Sequence, residues 1–377
     1  MAKVFRILDR FQITGRGTVY MIKNDPDMSL HLEAILYDLK GHRFQIVGFE
    51  MFRYLISNIP FEELPVGILF RALDEVEAEG QIFVDSLNDI CFLFCNHPLY
   101  QRRVDEDIQE EYQAAGLNHP CALFSYEDLE KGSLSLYGNS ISGLTIYRGW
   151  MMKPDMYKTI YLLLEEREII LINTPEEYER YHLLPGWYHE FSNETMHSVW
   201  EDTGTLSAAM SLTKNLHGSY VVKDFVKSRK YEWYDACFIQ NIENRENAER
   251  IIGNFIERQD NNLVGGIVLR EFVKLRTIGF HEKSGMPISE EYRIFVFAGN
   301  LLCVNDYWEN ANKTSLSDDE VEWIKSIAKR IRSNFVTIDV ARKEDGSLII
   351  MELGDGQVSG LQQIDPTDFY GAFDDVP

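Results

Sequence analysis

Four cations crowd one short stretch of the chain, "YVVKDFVKSRKYEW" (220–233), which carries Lys223, Lys227, Arg229 and Lys230 beside Val221, Val222, Phe225 and Val226. Read as one strand, alternation puts Lys223 and Lys227 on one face about 13 Å apart, with Arg229 continuing the row and Lys230 pointing the other way. A solvated sheet edge would explain such a row. The apolar neighbours argue instead for a strand buried on at least one side, and a partly buried ammonium needs a carboxylate or a phosphate as partner. Three more β-rich segments follow: "VGGIVLREFVKL" (264–275), "EEYRIFVFAGNLLCVNDYW" (290–308) and "FVTIDVARKEDGSLIIMELGDGQ" (335–357). The second reads as two strands joined at Ala298-Gly299-Asn300, with Glu291 and Arg293 on one face. The third reads as a hairpin around Asp345-Gly346 whose strands carry Asp339 and Glu352, with Asp355 just beyond. Acids that interrupt apolar strands at one end of a hairpin suit Mg2+, a hard ion that takes one or two carboxylates plus phosphate oxygens.

Composition frames that reading. The 377 residues carry 60 acids against 37 Lys and Arg, a formal net charge of −23. That excess makes general nucleic-acid binding an unsuitable function, because nonspecific affinity for phosphate backbones comes from clustered cations. The length suggests two or three domains. Cys91, Cys95, Cys121, Cys237 and Cys303 form no CxxC pair, which reads as buried small residues kept reduced rather than as a disulfide framework. No run approaches the ~20 apolar residues of a membrane span, and "MAKVFRILDRFQITG" is unlike a signal peptide. A soluble, cytoplasmic protein is expected.

The elements that must position the cations and acids occupy the rest of the chain. Up to about residue 85, short alternating strands with turns at Gly15 and Gly17 favour a small closed barrel. "FQITGRGTV", "IVGFEMFR" and "VGILFRALDEVEAEGQIFV" resemble, in order and spacing, the second, β-barrel domain of elongation factor Tu and related translational GTPases. No GxxxxGK[ST] loop accompanies them, so the GTPase domain of that family is absent. The resemblance implies a structural or protein-binding role, with a translation-machinery partner or an aminoacyl-RNA contact as the sharper reading. From about 88 onward "DICFLFC", "VDEDIQEEYQAAG", "PCALFSYEDL", "LTIYRGW", "PDMYKTIYLLLEERE" and "IILINTPEEYERY" alternate strand and helix, the pattern of a small parallel α/β layer. Acids open the helices at "VDED" and "TPEE", where the helix dipole favours them.

Taken together, residues 215–361 resemble the ATP-grasp fold, most closely a divergent clade distinguished by one arginine and two lysines, which includes a eukaryotic cell-division-cycle chaperone. Lys223 is followed by Ser228-Arg229-Lys230, Leu269-Arg270 occupies the hinge strand, and Glu291-Tyr292-Arg293-Ile294-Phe295-Val296 matches an "EFRxFV" pattern. The resemblance implies a multidomain α+β chain: a barrel at 1–86, a pre-ATP-grasp α/β domain at 87–210 and an ATP-grasp domain at 211–377. It implies ATP and Mg2+, with Lys223 on the α-phosphate and Lys230, joined by Lys227, on the β- and γ-phosphates. Arg270 and Arg293 would offset triphosphate charge, Arg293 and Lys230 acting catalytically at the γ-phosphate. Glu271, Phe272 and Val273 would line the adenine hinge, and Asp339 and Glu352 would hold the metal. The Asn that the family usually places two residues after the last acid is here Gly354, so Asp355 or a water would take its place.

That fold implies an ATP-dependent carboxylate–amine ligase working through an acyl phosphate, on substrates the sequence does not name. A non-catalytic ATP-binding assembly chaperone and a phosphotransferase are the alternatives. Arg148, ending the "LTIYRGW" strand, is a candidate carboxylate anchor because a guanidinium pairs with one bidentately; the plainer reading is a surface Arg at a strand end. His182, His189 and His197 are spaced by seven and eight residues, poorly for a zinc site.

Overall fold

The computed structural model describes residues 3–23, 30–51, 65–74, 76, 78, 82–86, 90–308 and 315–374. The chain forms two compact units, one of residues 1–149, 159–172 and 366–377, the other of 150–158 and 173–365.

The first unit opens with the closed barrel. Round it run Val4–Ile13, Gly17–Ile22, Val66–Ala72, Arg43–Met51, Ile35–Asp38 and Ile82–Val84, every neighbouring pair antiparallel. Closure leaves no unpaired edge. Gly15 and Gly17 take φ of +79° and +106°, which lets the first hairpin turn without a Cβ clash. Inward positions fill the lumen with Phe5, Tyr20, Phe44, Ile46, Ile68 and Phe83; Phe44 meets Phe83 edge-on at 5.3 Å. Phe52 and Arg53 of the second quoted block, and Glu75, Glu77, Glu79, Gly80 and Gln81 of the third, lie outside the described residues.

The same unit holds the α/β layer. Cys121–Phe124, Cys91–His97, Gly143–Arg148 and Ile169–Leu171 lie side by side and parallel. Leu136–Gly138 and Tyr100–Val104 add antiparallel strands. Strands covered on both faces read as continuous apolar runs, and Cys91, Cys95 and Cys121 are accordingly buried. Among the described residues, no helix is long and apolar enough to cross a membrane.

The second unit is built on two antiparallel sheets. In the first the order is Ser198–Glu201, Ile267–Glu271, Tyr220–Lys223, Phe238–Ile239. One face, with Tyr220, Val222, Ile267 and Leu269, packs on Ile251, Ile252 and Phe255 of the helix Arg245–Gln259. In the second sheet the order is Asn300–Asp306, Glu291–Phe297, Phe335–Arg342, Leu348–Asp355. Tyr292, Ile294, Ile338, Val340 and Leu353 pack against Ile324 and Ile327 of the helix Asp318–Ala328. That helix starts in a capping box of Ser317 and Glu320. The segment after Glu271 joins the sheets. The Phe272 amide still donates to the Ser219 carbonyl at 2.9 Å, whereas Arg276 N–H donates to the Arg342 carbonyl at 2.8 Å in the other sheet.

The cation-rich stretch is not one strand. Its strand ends at Lys223, and Asp224 turns the chain, one carboxylate oxygen accepting from the amides of Val226 and Lys227 at 2.7 and 2.5 Å. The other accepts from Gln259 Nε2 at 2.9 Å. Lys223, Lys227 and Arg229 therefore form no common row, and Lys230 opens a short 3-10 turn, Lys230–Glu232.

Candidate functional site

Strand register builds the site. Asp339 pairs directly with Arg293 on one neighbouring strand and with Glu352 on the other. Residues directly opposite share a face, so the three side chains stand abreast, on the face turned away from the helix-packed core. A bulge beside Asp339 leaves Met351 unpaired and restores register at Glu352. On the first sheet Val221 is opposite Arg270, two residues before Lys223. Alternation thus turns Val221, Lys223 and Arg270 away from the Val222 and Leu269 core.

Charges meet across these faces. Arg293 grips Asp339 with two parallel bonds, Nε to Oδ1 at 2.8 Å and Nη2 to Oδ2 at 2.6 Å. The buried Lys223 donates from Nζ to Glu352 Oε1 at 2.8 Å. Burial alone would raise the Glu352 carboxyl, but Lys223, Arg270 and Arg293 outweigh it and hold the group below its ordinary value. Burial likewise works against the charged form of Lys230, yet Tyr307 and Glu291 raise its pKa. Its ammonium sits 4.9 and 4.6 Å from the ring centroids of Tyr307 and Trp308. Glu291 itself is raised, chiefly by burial.

Arg270 differs from the other arginines of the site. It is 5% exposed, and its guanidinium donates only to uncharged oxygens: the carbonyls of Met351 and Ile350 and the hydroxyl of Thr195. Its Nε–H is buried without a partner. Burial lowers its pKa to about 10.

Two cavities open on this constellation. The first, of about 250 Å³, has an apolar wall of Val221, Trp233, Phe272, Val273, Met286 and Met351, and a charged end with Lys223, Lys230, Arg270, Glu291, Asp339 and Glu352. Glu271 lies at the same lining, where the sheet-joining segment begins. The second, of about 300 Å³, is lined by His182, Lys227, Arg293, Thr337, Gly354, Ser359 and Gln362 among others. Ser228, Lys230, Tyr307, Asp339 and Glu352 line both, so the charged end of the first cavity is a wall of the second.

Most of the residues singled out from sequence come together here: Lys223, Lys230, Arg270, Glu271, Phe272, Val273, Asp339 and Glu352 around the first cavity, Lys227 and Arg293 around the second. Two do not. Arg148 lies in the other unit, buried, with Nε and Nη2 both donating to Glu111 Oε2 at 3.0 and 2.8 Å and Phe369 against its face. A guanidinium so engaged is a structural cation, not a carboxylate anchor. Asp355 points into the interior. It accepts from Asn173 Nδ2 at 2.6 Å and from the Gln357 amide at 2.9 Å, and burial pushes its pKa up to about 7. It therefore does not replace the missing ligand at Gly354. Where a Cβ would stand on Gly354, the hydroxyls of Thr337 and Ser359 lie 2.8 and 3.0 Å away. Of the three histidines, His182 is buried at the second cavity and the other two are exposed. Among the described residues no group of three His, Cys, Asp or Glu is placed to hold a metal.

Glu291, Trp233, Tyr307 and Trp308 had no role in the sequence reading, yet all four line the first cavity. Only the "DYW" and "YEW" clusters of aromatics beside charged residues hinted at them.

The donor set fits a nucleoside triphosphate. An apolar slot meets a flat base, the cationic end meets phosphates, and a buried arginine with an unpartnered N–H is suited to an anion. Asp339 and Glu352 supply hard oxygens for Mg2+ beside it.

A model of the ATP-grasp domain, family 3 of the clade named for one arginine and two lysines, matches residues 210–373, somewhat less than half of the chain. This part of the chain is an ATP-grasp domain. The ATP-grasp match begins before the Lys223 strand and runs beyond the Asp339–Glu352 hairpin. Among solved structures, the chain is similar to a RimK-domain ATP-grasp protein from Sphaerobacter thermophilus, at 12% identity and a TM-score of 0.49, over 76% of this chain and 98% of that one. D-alanyl-alanine synthetase A from Vibrio cholerae shows 14% identity and a TM-score of 0.47, over 75% and 92% of the two chains. The ATP-grasp ligase PsnB, complexed with a precursor variant, Mg and ADP, gives 13% and 0.47, over 76% and 96%. No curated protein matches in sequence.

Proposed function

We propose that this protein is an ATP- and Mg2+-dependent ligase that joins a carboxylate to an amine. The observation that carries the reading is the shared wall: Lys230, Asp339 and Glu352 line both cavities, so a γ-phosphate at the charged end of the first would face an acceptor in the second. Lys223 would hold the α-phosphate, Lys230 the β- and γ-phosphates, and Arg270 would neutralise them from below. Backbone groups of Glu271, Phe272 and Val273 would read the base. Asp339 and Glu352 would hold Mg2+, which when bound neutralises phosphate oxygens; Arg293, at the same row, would face the transferred group.

In this reaction a carboxylate oxygen bonds to the γ-phosphorus as ADP leaves. An amine nitrogen then bonds to the acyl carbon, phosphate leaves and the amine proton passes to solvent. The chain's contribution is positioning and charge neutralisation, the main needs of phosphoryl transfer. The proposed division is a barrel at 1–86 that recruits a macromolecular substrate or protein partner, an α/β domain at 87–210 and the ATP-grasp domain at 211–377.

The test is ADP release by purified protein with ATP, Mg2+ and pools of amino acids and peptides, hydroxylamine serving as a surrogate amine. Carboxylate-dependent ADP release with hydroxamate formation is expected, lost in Lys230→Met and in Asp339→Asn. Tight ATP binding without any carboxylate-dependent ADP release would overturn the ligase reading in favour of an ATP-binding chaperone.

A further inference from the structure

The structure separates the lysines that the sequence grouped together. Lys223 lines only the first cavity and Lys230 lines both, whereas Lys227 lines only the second. We propose that Lys227 belongs to the acceptor rather than to the nucleotide, and that the acceptor is a carboxylic acid bearing a second anionic group, which Lys227 holds. The inference rests on the ligase reading of the site.

A charge count around the second cavity supports it. Arg293 is satisfied by Asp339 through two bonds, and Glu352 is taken by Lys223. Arg229 is taken by Glu232. Two ammonium groups at the cavity then lack a carboxylate partner. Lys230 sits over Tyr307 and Trp308 at the shared wall, where a phosphate would lie. The Lys227 ammonium has no hydrogen bond or ion pair among the described residues, and it lies away from the nucleotide cavity. It is also presented on a fixed turn, because Asp224 caps the Val226 and Lys227 amides and is itself held by Gln259. Lys223 and Ser228 close that turn with an isolated bridge. A cation fixed in this way loses little freedom on binding. His182, on the same cavity, brings no competing positive charge, since burial lowers its pKa to about 4. The uncharged Thr337, Ser359 and Gln362 complete a polar lining suited to a small, multiply charged acid.

The test uses the full chain, wild type and Lys227→Met, loaded with Mg2+ and a non-hydrolysable ATP analogue and titrated calorimetrically with matched acids: glutarate against pentanoate, succinate against butanoate, L-glutamate against L-norvaline. The expected result is analogue affinity equal in both proteins, and wild type binding at least one diacid roughly tenfold tighter than its monoacid match, the worth of one charge-assisted hydrogen bond. Lys227→Met should erase that preference. Roughly tenfold weaker analogue binding in Lys227→Met would overturn the proposal by returning Lys227 to the triphosphate. Diacids that bind no better than monoacids, or no binding of either, would overturn it while leaving the ligase reading standing. Failure of wild type to bind the analogue would overturn the ligase reading itself, and this proposal with it.

Discussion

Replacing Arg270 with Met should separate stability from nucleotide binding. Arg270 is buried, and its pKa falls from 12.5 to about 10, a cost to the charged form of about 3 kcal/mol. Against this stand its bonds to the carbonyls of Met351 and Ile350 and to the Thr195 hydroxyl, worth about 1 kcal/mol each net of water. Methionine fills much of the same volume against Trp187, over which the guanidinium lies at 5.8 Å. The two sides nearly cancel, so the unliganded Arg270→Met protein should be within about 1 kcal/mol of wild type, in either direction. ATP binding should not survive so well. Loss of a charge-assisted bond to phosphate, about 1.5–3 kcal/mol, weakens affinity about 10- to 100-fold. Urea denaturation followed by tryptophan fluorescence, with the slope checked for constancy, reads the first quantity; calorimetric titration with ATP and Mg2+ reads the second. A loss of more than about 3 kcal/mol with ATP affinity intact would refute the reasoning, since Arg270 would then be a structural cation.

Other consequences are equally direct. His182 has its pKa lowered from 6.5 to about 4 by burial, so the folded state resists a proton that the unfolded chain accepts. Its contribution is complete above pH 6.5 and is lost as pH falls toward 4, by at most about 3 kcal/mol; His182→Gln should flatten that limb in a pH series of urea midpoints. Gly354→Asn drives a Cβ against the Thr337 and Ser359 hydroxyls and should cost about 1–3 kcal/mol, part of it recovered by adding Thr337→Ala, as thermal melts would show. Asp355→Asn should leave Mn2+ binding in the presence of ADP unchanged, because Asp355 faces Asn173 and Gln357. Asp339→Asn and Glu352→Gln should each weaken it roughly tenfold or more, read by electron paramagnetic resonance.

Much of this was legible in the sequence, and the exceptions have particular causes. Alternation in "EEYRIFVF" and "VTIDVAR" places Arg293 and Asp339 on the site face, and the hairpin brings Glu352 beside them. The same alternation argues against Asp355: three residues beyond Glu352, it lies on the opposite face of the strand. The end of the first lysine strand was hidden because a side-chain cap from Asp224 stops it, not a glycine or proline. Arg148 misled because its partner Glu111 comes from a helix 37 residues earlier, a pairing that strand periodicity does not encode. Tyr307 and Trp308 looked like ordinary core aromatics until Lys230 was found above their rings.

The most direct test of the central claim is a crystal structure of the protein with Mg2+ and a non-hydrolysable ATP analogue. The base is expected between Phe272 and Met351, its edge bonded to the backbone at 271–273, with Lys223 and Arg270 on the phosphates and the γ-phosphate beside Lys230, Asp339 and Glu352, facing the second cavity. A nucleotide bound elsewhere, or one whose γ-phosphate points away from the second cavity, would contradict it.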